Sequence, residues 1–242
     1  MGTCPRLLLN NPKDDIQRLR KEYQNRSNRK EFLDLYSFFT SSYLFTIQQR
    51  ERAILHVLKN HNQKSLKEMK ILEIGCGGGF LLMDFVKYGA SQHNIWGIDL
   101  LFDRLRNALV ILPSGNIVNA DGQELPFESR SFDILLQSMA FSSILNPSVR
   151  SNMAAEMIRV LKDNGVILWY DFWWNPSNRQ TAGIRPREIQ RLFPKCQIQK
   201  KKITLAPPIA RRIVPITWQF ALFLESLTIF NSHYLALITK DR

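Results

Sequence analysis

The stretch with the most specific chemistry in this sequence is Glu73-Ile74-Gly75-Cys76-Gly77-Gly78-Gly79. It follows the apolar pair Ile71-Leu72 and runs into the helix-like Phe80-Leu81-Leu82-Met83. An apolar strand that passes through glycines into a helix start offers bare backbone N–H groups to a ligand. Side chains in that turn would hold the ligand off and would resist positive φ. A second short apolar run, Ile95-Trp96-Gly97-Ile98, ends in Asp99. That acid falls about 20 residues beyond the glycines, the gap at which a carboxylate meets a ribose hydroxyl. Together these residues read as a nucleoside site at the carboxyl ends of adjacent parallel strands. The glycines do not fit the dinucleotide pattern, whose last glycine would stand where Phe80 is. No Gly-Lys-Ser/Thr follows, so a phosphate-binding P-loop is excluded. Cys76 is counted with the loop as a small neutral filler.

The elements that must position these residues alternate. Strands are predicted over 71–74, 94–99, 116–119, 132–137, 165–170, 197–205 and 233–239. Helices are predicted over 80–88, 102–112, 149–162 and 186–193. This alternation points to an α/β domain with a parallel sheet and right-handed crossovers. Before the sheet, Ile16, Leu19 and Tyr23 form a thin helical stripe. A richer one follows in Phe32, Leu35, Tyr36, Phe39, Tyr43, Leu44 and Ile47. One or two helices packed over the carboxyl edge of the sheet are expected from them. The division is then residues 1–69 as a helical cover and 70–242 as the core, within one domain. A chain of 242 residues suits that size.

Bulk composition sets the outer limits. Hydrophobic residues make up 45% and charged residues 22%, as in ordinary globular proteins. Cys4, Cys76 and Cys196 form no C-x-x-C pair, which argues against a disulfide framework. His56, His61, His93 and His233 are scattered, so no metal cluster is expected. Met1-Gly2 opens like a myristoylation signal, but Arg6 stands where Ser or Thr is needed. Leu7-Leu8-Leu9 is too short for a cleavable segment. The apolar run 216–230 contains Gln219 and Glu225 and is shorter than the ~20 residues that span a bilayer. A cytoplasmic location is the expectation. The net charge of +12 is unevenly spread. Residues 1–70 hold 14 Lys/Arg against 7 Asp/Glu, 71–171 hold 7 against 11, and 172–242 hold 12 against 3. The basic excess therefore lies in the flanks, which could draw in an anionic substrate or surface.

The pattern E-x-G-x-G-x-G in residues 73–79 resembles motif I of the class I S-adenosylmethionine-dependent methyltransferases. Ala120-Asp121-Gly122-Gln123-Glu124-Leu125-Pro126-Phe127 is similar to the family's acidic loop, and Ser131-Phe132-Asp133-Ile134-Leu135-Leu136-Gln137 to its fourth strand. Arg159-Val160-Leu161-Lys162-Asp163-Asn164-Gly165-Val166 resembles its helix end, glycine turn and fifth strand. The resemblance covers roughly residues 70–172. It implies a Rossmann-like, seven-stranded, mostly parallel sheet flanked by helices, with the last strand antiparallel and S-adenosylmethionine as cofactor. Carried over position by position, Glu73, Gly75, Gly77 and Gly79 border the methionine and ribose. Asp99 accepts from the ribose hydroxyls and Leu100 packs on adenine. Asp121, Gly122 and Gln123 meet the adenine amino edge, while Gln137 and Ser138 face the methyl. A departure from the bare family core is residues 206–231, an insertion before the last strand. It reads either as a helix over the active-site mouth or as an interfacial or dimer surface, which includes peripheral membrane contact.

The acceptor is narrowed by what is missing. After the fourth strand comes Gln137-Ser138-Met139-Ala140-Phe141. This is neither an N-P-P-Y-like turn for an amino nitrogen nor a Pro-Cys for cytosine carbon attack. An oxygen acceptor fits better. Asp171 and His233 are candidate general bases at strand ends, and a carboxylate acceptor would need only cations such as Arg179, Arg211 or Arg212. Tyr36, Tyr43 and Trp174 are candidate substrate contacts. A weaker outer resemblance, in Gln49-Arg50-Glu51-Arg52, Tyr170-Asp171 with Asn175-Pro176, and Ser232-His233-Tyr234, is to small-molecule bacterial methyltransferases of natural-product, glycan and lipid pathways. The expected function is O-methylation of a hydroxyl or carboxylate on a small, anionic acceptor. The rivals are RNA methylation, which lacks a recognisable added module here, and a non-catalytic cofactor-binding scaffold.

Overall fold

The computed structural model describes residues 11–27, 34–61, 65–175, 178 and 180–241, without the side chains of Pro12, Arg26 and Ser27. Met1–Gly2, Cys4, Phe32, Pro176 and Arg179, used in the sequence reading, lie outside the described residues.

Strand β1 (Ile71–Ile74) is buried at every position and stands inside the sheet, paired on both edges. Strands β2 (Ile95–Asp99) and β3 (Asn116–Asn119) extend the sheet on one side, and β4 (Phe132–Ser138) and β5 (Leu161–Phe172) on the other. All of these pairs are parallel. Strands β6 (Cys196–Leu205) and β7 (Asn231–Lys240) complete the order 3-2-1-4-5-7-6, with β7 antiparallel to both neighbours. This is the mostly parallel Rossmann-like sheet with an antiparallel last strand. Unbroken apolar runs such as Ile134-Leu135-Leu136 suit strands covered on both faces.

Two apolar layers clothe the sheet. One contains Leu72, Ile74, Leu135, Ile167 and Trp169, packed under α5 (Pro147–Val160) and α6 (Pro186–Leu192). The other contains Ile71, Ile95, Ile134, Leu136 and Leu168. It packs under α3 (Phe80–Lys87), α4 (Phe102–Ile111) and the C-terminal half of α2 (Ser41–Asn60). Helix α1 (Pro12–Ser27) is tied down beside the turn after β4. The buried Asp15 carboxylate accepts from the amides of Leu145 and Asn146, both at 2.8 Å. Arg18 donates to the Ser143 carbonyl and, at 3.1 Å, to the Gln180 carbonyl. The two N-terminal helices therefore divide the carboxyl edge. Helix α1 covers the β4 side, and α2 packs on β6 and β7.

Element boundaries depart most from the sequence reading around α5 and β5. Helix α5 begins at Pro147, capped by Asn146, whose side chain accepts from Ser148 and Val149. Its end is also earlier, at Val160, because the chain turns straight into β5 at Leu161. The ladder with β4 then skips from Leu161 opposite Phe132 to Val166 opposite Ile134. Gly165 is needed within that irregularity, since a Cβ there would lie 3.0 Å from the Asp133 carbonyl. Residues 206–231 fold as two short helices, α7 (Pro207–Ile213) and α8 (Trp218–Ser226). They share a small apolar cluster with Phe45 of α2. Among the described residues no helix is long and apolar enough to cross a membrane.

Candidate active site

The carboxyl ends of β1, β2 and β4 open into a cavity of about 530 Å³. Its floor is the glycine turn. Gly75, Gly77 and Gly79 take φ of +75°, +53° and +78°, values that side chains resist. At Gly75 a Cβ would also lie 2.9 Å from that of Ala140. The turn is pinned to β2 by the Gly75 and Cys76 amides, which donate to the Ile98 carbonyl at 2.8 and 2.9 Å.

Asp99 ends β2 on the cavity wall and is almost fully buried. Its Oδ1 accepts from the Leu101 amide and its Oδ2 from the Gly77 amide, both at 2.9 Å. Arg104 donates to Oδ2 at 3.2 Å and rests on the Tyr23 ring. Opposite lie Asp121, Gly122 and Gln123, with the Gln123 amide donating to Asp121 Oδ1 at 2.9 Å. Ile144, Val149 and Met153 supply an apolar wall suited to a flat ring, and Ile16, Leu19 and Tyr23 of α1 roof it.

Ser138, Met139 and Ala140 close the far end. Met139 has φ +60°, a strained value held by a buried network behind it. Gln137 Nε2 donates to Asp171 Oδ2 at 3.1 Å, and Gln137 Oε1 accepts from the Ala140 amide at 3.0 Å. The Ser142 amide donates to the same Asp171 oxygen at 3.0 Å, and the Phe172 amide to Asp171 Oδ1 at 2.8 Å. Burial pushes the Asp171 carboxyl up to about 6, against the pull of the bonds it accepts. Gln137 and Asp171 shape the turn from below and do not border the cavity.

The residues named from the sequence fall into groups. Gly75, Asp99, Leu100, Asp121, Gly122, Gln123, Ser138 and Tyr36 border the cavity. Gly77 and Gly79 shape its floor. Cys76 is buried against Gly97, where an added Cβ would meet its Sγ at 2.8 Å. Glu73 points to the sheet face under α2, buried, with Oε2 unpartnered. Burial raises its pKa to about 8, opposed by the charge of Arg50.

The structure does not bring His233 to the cavity. It is buried, with Nδ1 2.9 Å from Ser232 Oγ and its ring stacked on Tyr170. Burial pushes it down to about 3, so it stays neutral and structural. Its place within β7, facing β5 rather than opening on the edge, is the reason the expected base is absent there. Tyr43 packs edge-on against Tyr36, with ring centroids 5.6 Å apart, and stands one layer behind the wall. Trp174, Arg211 and Arg212 are exposed and do not border the cavity.

Sequence reasoning missed Ile16, Leu19 and Tyr23 as cavity wall, although their helical spacing was visible. It also missed Arg104, five positions beyond Asp99 on the first turn of α4, where it reaches back over the acid.

Residues 71–165 match the model of a methyltransferase domain family. Over that stretch the chain is similar to the S-adenosylmethionine-dependent methyltransferases. It is 28% identical over 132 residues to a ubiquinone/menaquinone biosynthesis C-methyltransferase of Campylobacter jejuni, covering 53% of this chain and 55% of that one. It is 35% identical over 121 residues to a phthiotriol/phenolphthiotriol dimycocerosates methyltransferase of Mycobacterium ulcerans, covering 47% and 40%. The chain thus spans about half the length of the curated relatives it matches. The fold is shared with geranyl diphosphate C-methyltransferase of Streptomyces coelicolor, which was solved with S-adenosyl-L-homocysteine, at a TM-score of 0.57. That match has 15% identity and covers 79% of this chain and 77% of that one.

The site fits the family's cofactor, S-adenosylmethionine. The side-chain-free turn, the acid at the end of β2 and the apolar slot beside Asp121 suit a ribose with an attached flat base.

Proposed function

We propose that this chain transfers the methyl group of S-adenosylmethionine to an oxygen of a small, largely apolar acceptor that is already acidic. The cofactor supplies an electrophilic methyl on a sulfonium. What the protein adds is alignment and exclusion of water. The Asp99 carboxylate accepts from the ribose hydroxyls, and the Gly75 turn lets the backbone approach the sulfur end. Asp121 and Gln123 orient the base edge. Met139 and Tyr36 close over the transfer site and keep it dry.

The observation that carries this reading is the composition of the wall. Among the described residues that border the cavity there is no histidine or lysine. Asp99 is engaged by three donors. An acceptor that arrives ionised, a carboxylate or an acidic phenol or enol, needs no proton removed by the protein. This replaces the expected roles of Asp171 and His233 as bases, since both are buried behind the wall.

A second reading, transfer to carbon, is favoured by two of the similar proteins being named C-methyltransferases. An enol can be attacked at either atom, so the same wall serves both. Incubation with S-adenosylmethionine carrying a labelled methyl and a panel of acidic phenols, enols, carboxylic acids and basic amines, followed by carbon NMR, tests the reading. An O-methyl signal supports it, a C-methyl signal selects the second reading, and labelling of basic amines alone contradicts both.

A further inference from the structure

Helix α8 carries apolar side chains on both its buried and its outward face. Ala221 is buried, Trp218 packs on Phe45 at 5.1 Å, and Glu225 turns inward to accept from the Thr204 amide at 2.9 Å. The opposite stripe, Phe220, Phe223 and Leu227, follows helical spacing yet faces outward. Ile216 and Ile229 prolong it at the two ends, 80% and 70% exposed. The turn before α2 leads into the helix that packs on α7 and carries Phe45 into the α7–α8 cluster. Phe39 is fully exposed and Phe38 rests on Tyr43, two residues before the Phe45 that holds Trp218. A contiguous apolar face of this kind is costly in water unless something covers it.

The charges say what kind of cover fits. Arg211 and Arg212 are exposed at the end of α7, next to the apolar stripe. Glu225, the acid within 206–231, is turned away from the surface. Residues 172–242 as a whole hold 12 Lys/Arg against 3 Asp/Glu. A second copy seated on this face would bring its own arginines against these. An anionic bilayer meets both features, with aromatic side chains entering the headgroup boundary and arginines pairing with lipid phosphates.

We infer that the face formed by α8 and the Phe38–Phe39 turn docks on anionic membrane surfaces. Tyr36, three residues before Phe39, borders the cofactor cavity and is itself half exposed, so the docked face lies beside the cavity mouth. An acceptor delivered there would be lipid-soluble, a consequence that rests on the methyl-transfer reading. The docking itself does not.

The test is sedimentation of the full chain with vesicles. Wild type is expected to partition onto phosphatidylcholine vesicles containing phosphatidylglycerol, weakly onto phosphatidylcholine alone, and less as salt rises. The double variant Phe220→Ser/Phe223→Ser should lose about tenfold in partitioning. Arg211→Gln should lose about fivefold on the anionic vesicles only. All three positions are exposed, and an unchanged thermal midpoint confirms that the fold is kept. Equal partitioning of wild type and both variants overturns the inference. So does a concentration-dependent dimer in gel filtration that Phe220→Ser/Phe223→Ser dissolves, because the face would then belong to a second copy. Vesicle binding without methyl transfer would sustain the docking surface and tell against the enzymatic reading alone.

Discussion

Arg104 donates to Asp99 Oδ2 at 3.2 Å, from a position across the glycine turn where its guanidinium would collide with a Cβ on Gly77. The carboxylate that is to accept from the ribose is thus already charge-paired. The guanidinium carbon lies 4.3 Å from the Tyr23 ring centroid, so the arginine is held between α4 and α1. Cofactor binding must displace this donor or share the acid with it.

Arg104→Ala should therefore tighten S-adenosylmethionine binding. A half-exposed pair of this kind is worth about 1 kcal/mol or less, so a gain of roughly twofold to fivefold is expected by calorimetry. A loss of affinity would mean instead that the arginine touches the ligand.

Asp15 fixes the roof. Its carboxylate accepts from two backbone amides and from Arg18, and replacing it with alanine leaves those buried amides unpaired. The cost should be about 2 kcal/mol in the docking of α1. Amide exchange over residues 12–27 should quicken in Asp15→Ala, and bound cofactor should dissociate faster. Unchanged exchange would show that α1 is held by its apolar stripe alone.

Glu73 should make the protein less stable as the solution becomes alkaline. Its folded pKa of about 8 lies above the ordinary 4.5. Between those values the folded state binds more protons than the unfolded chain, so stability falls as pH rises through that window. Glu73→Gln removes the effect. The variant should gain roughly 1–3 kcal/mol on wild type by about pH 8 and little by about pH 4. Thermal midpoints across that range decide it, and parallel curves would contradict it.

Asp171→Asn separates scaffold from chemistry. An amide cannot accept all the bonds this carboxylate accepts, so the turn through Met139 should loosen and stability should fall by about 1–3 kcal/mol. Turnover should drop modestly with its pH profile unchanged. Loss of an acidic limb near the group's pKa of about 6 would instead give Asp171 the acceptor's proton.

The sheet was legible because its strands are apolar runs closed by glycine, proline or acid. Strand β3, Asn116–Asn119, was read to the residue. That Gly75 and Asp99 would meet at one cavity was legible for the same reason, since both sit at strand ends where backbone geometry fixes their position. What depends on tertiary packing was not legible. The sequence places Asp171 at the open end of the fifth strand, but β5 runs on to Phe172 and buries it. The sequence places His233 at the start of the last strand and leaves it as either a base or a structural histidine; β7 begins two residues earlier and seats it on Tyr170, which favours the structural reading. Nothing local in Ile16, Leu19 and Tyr23 says which wall they will form. That is decided by Asp15 meeting amides 130 residues away.

The central claim is that Asp99 and the glycine turn hold the sugar of S-adenosylmethionine. Calorimetric titration of the cofactor into wild type and Asp99→Ala tests it most directly. The account predicts that the variant binds about 2–3 kcal/mol more weakly, the worth of charge-assisted bonds to two hydroxyls. Equal affinity in the two proteins would place the cofactor elsewhere and contradict the account.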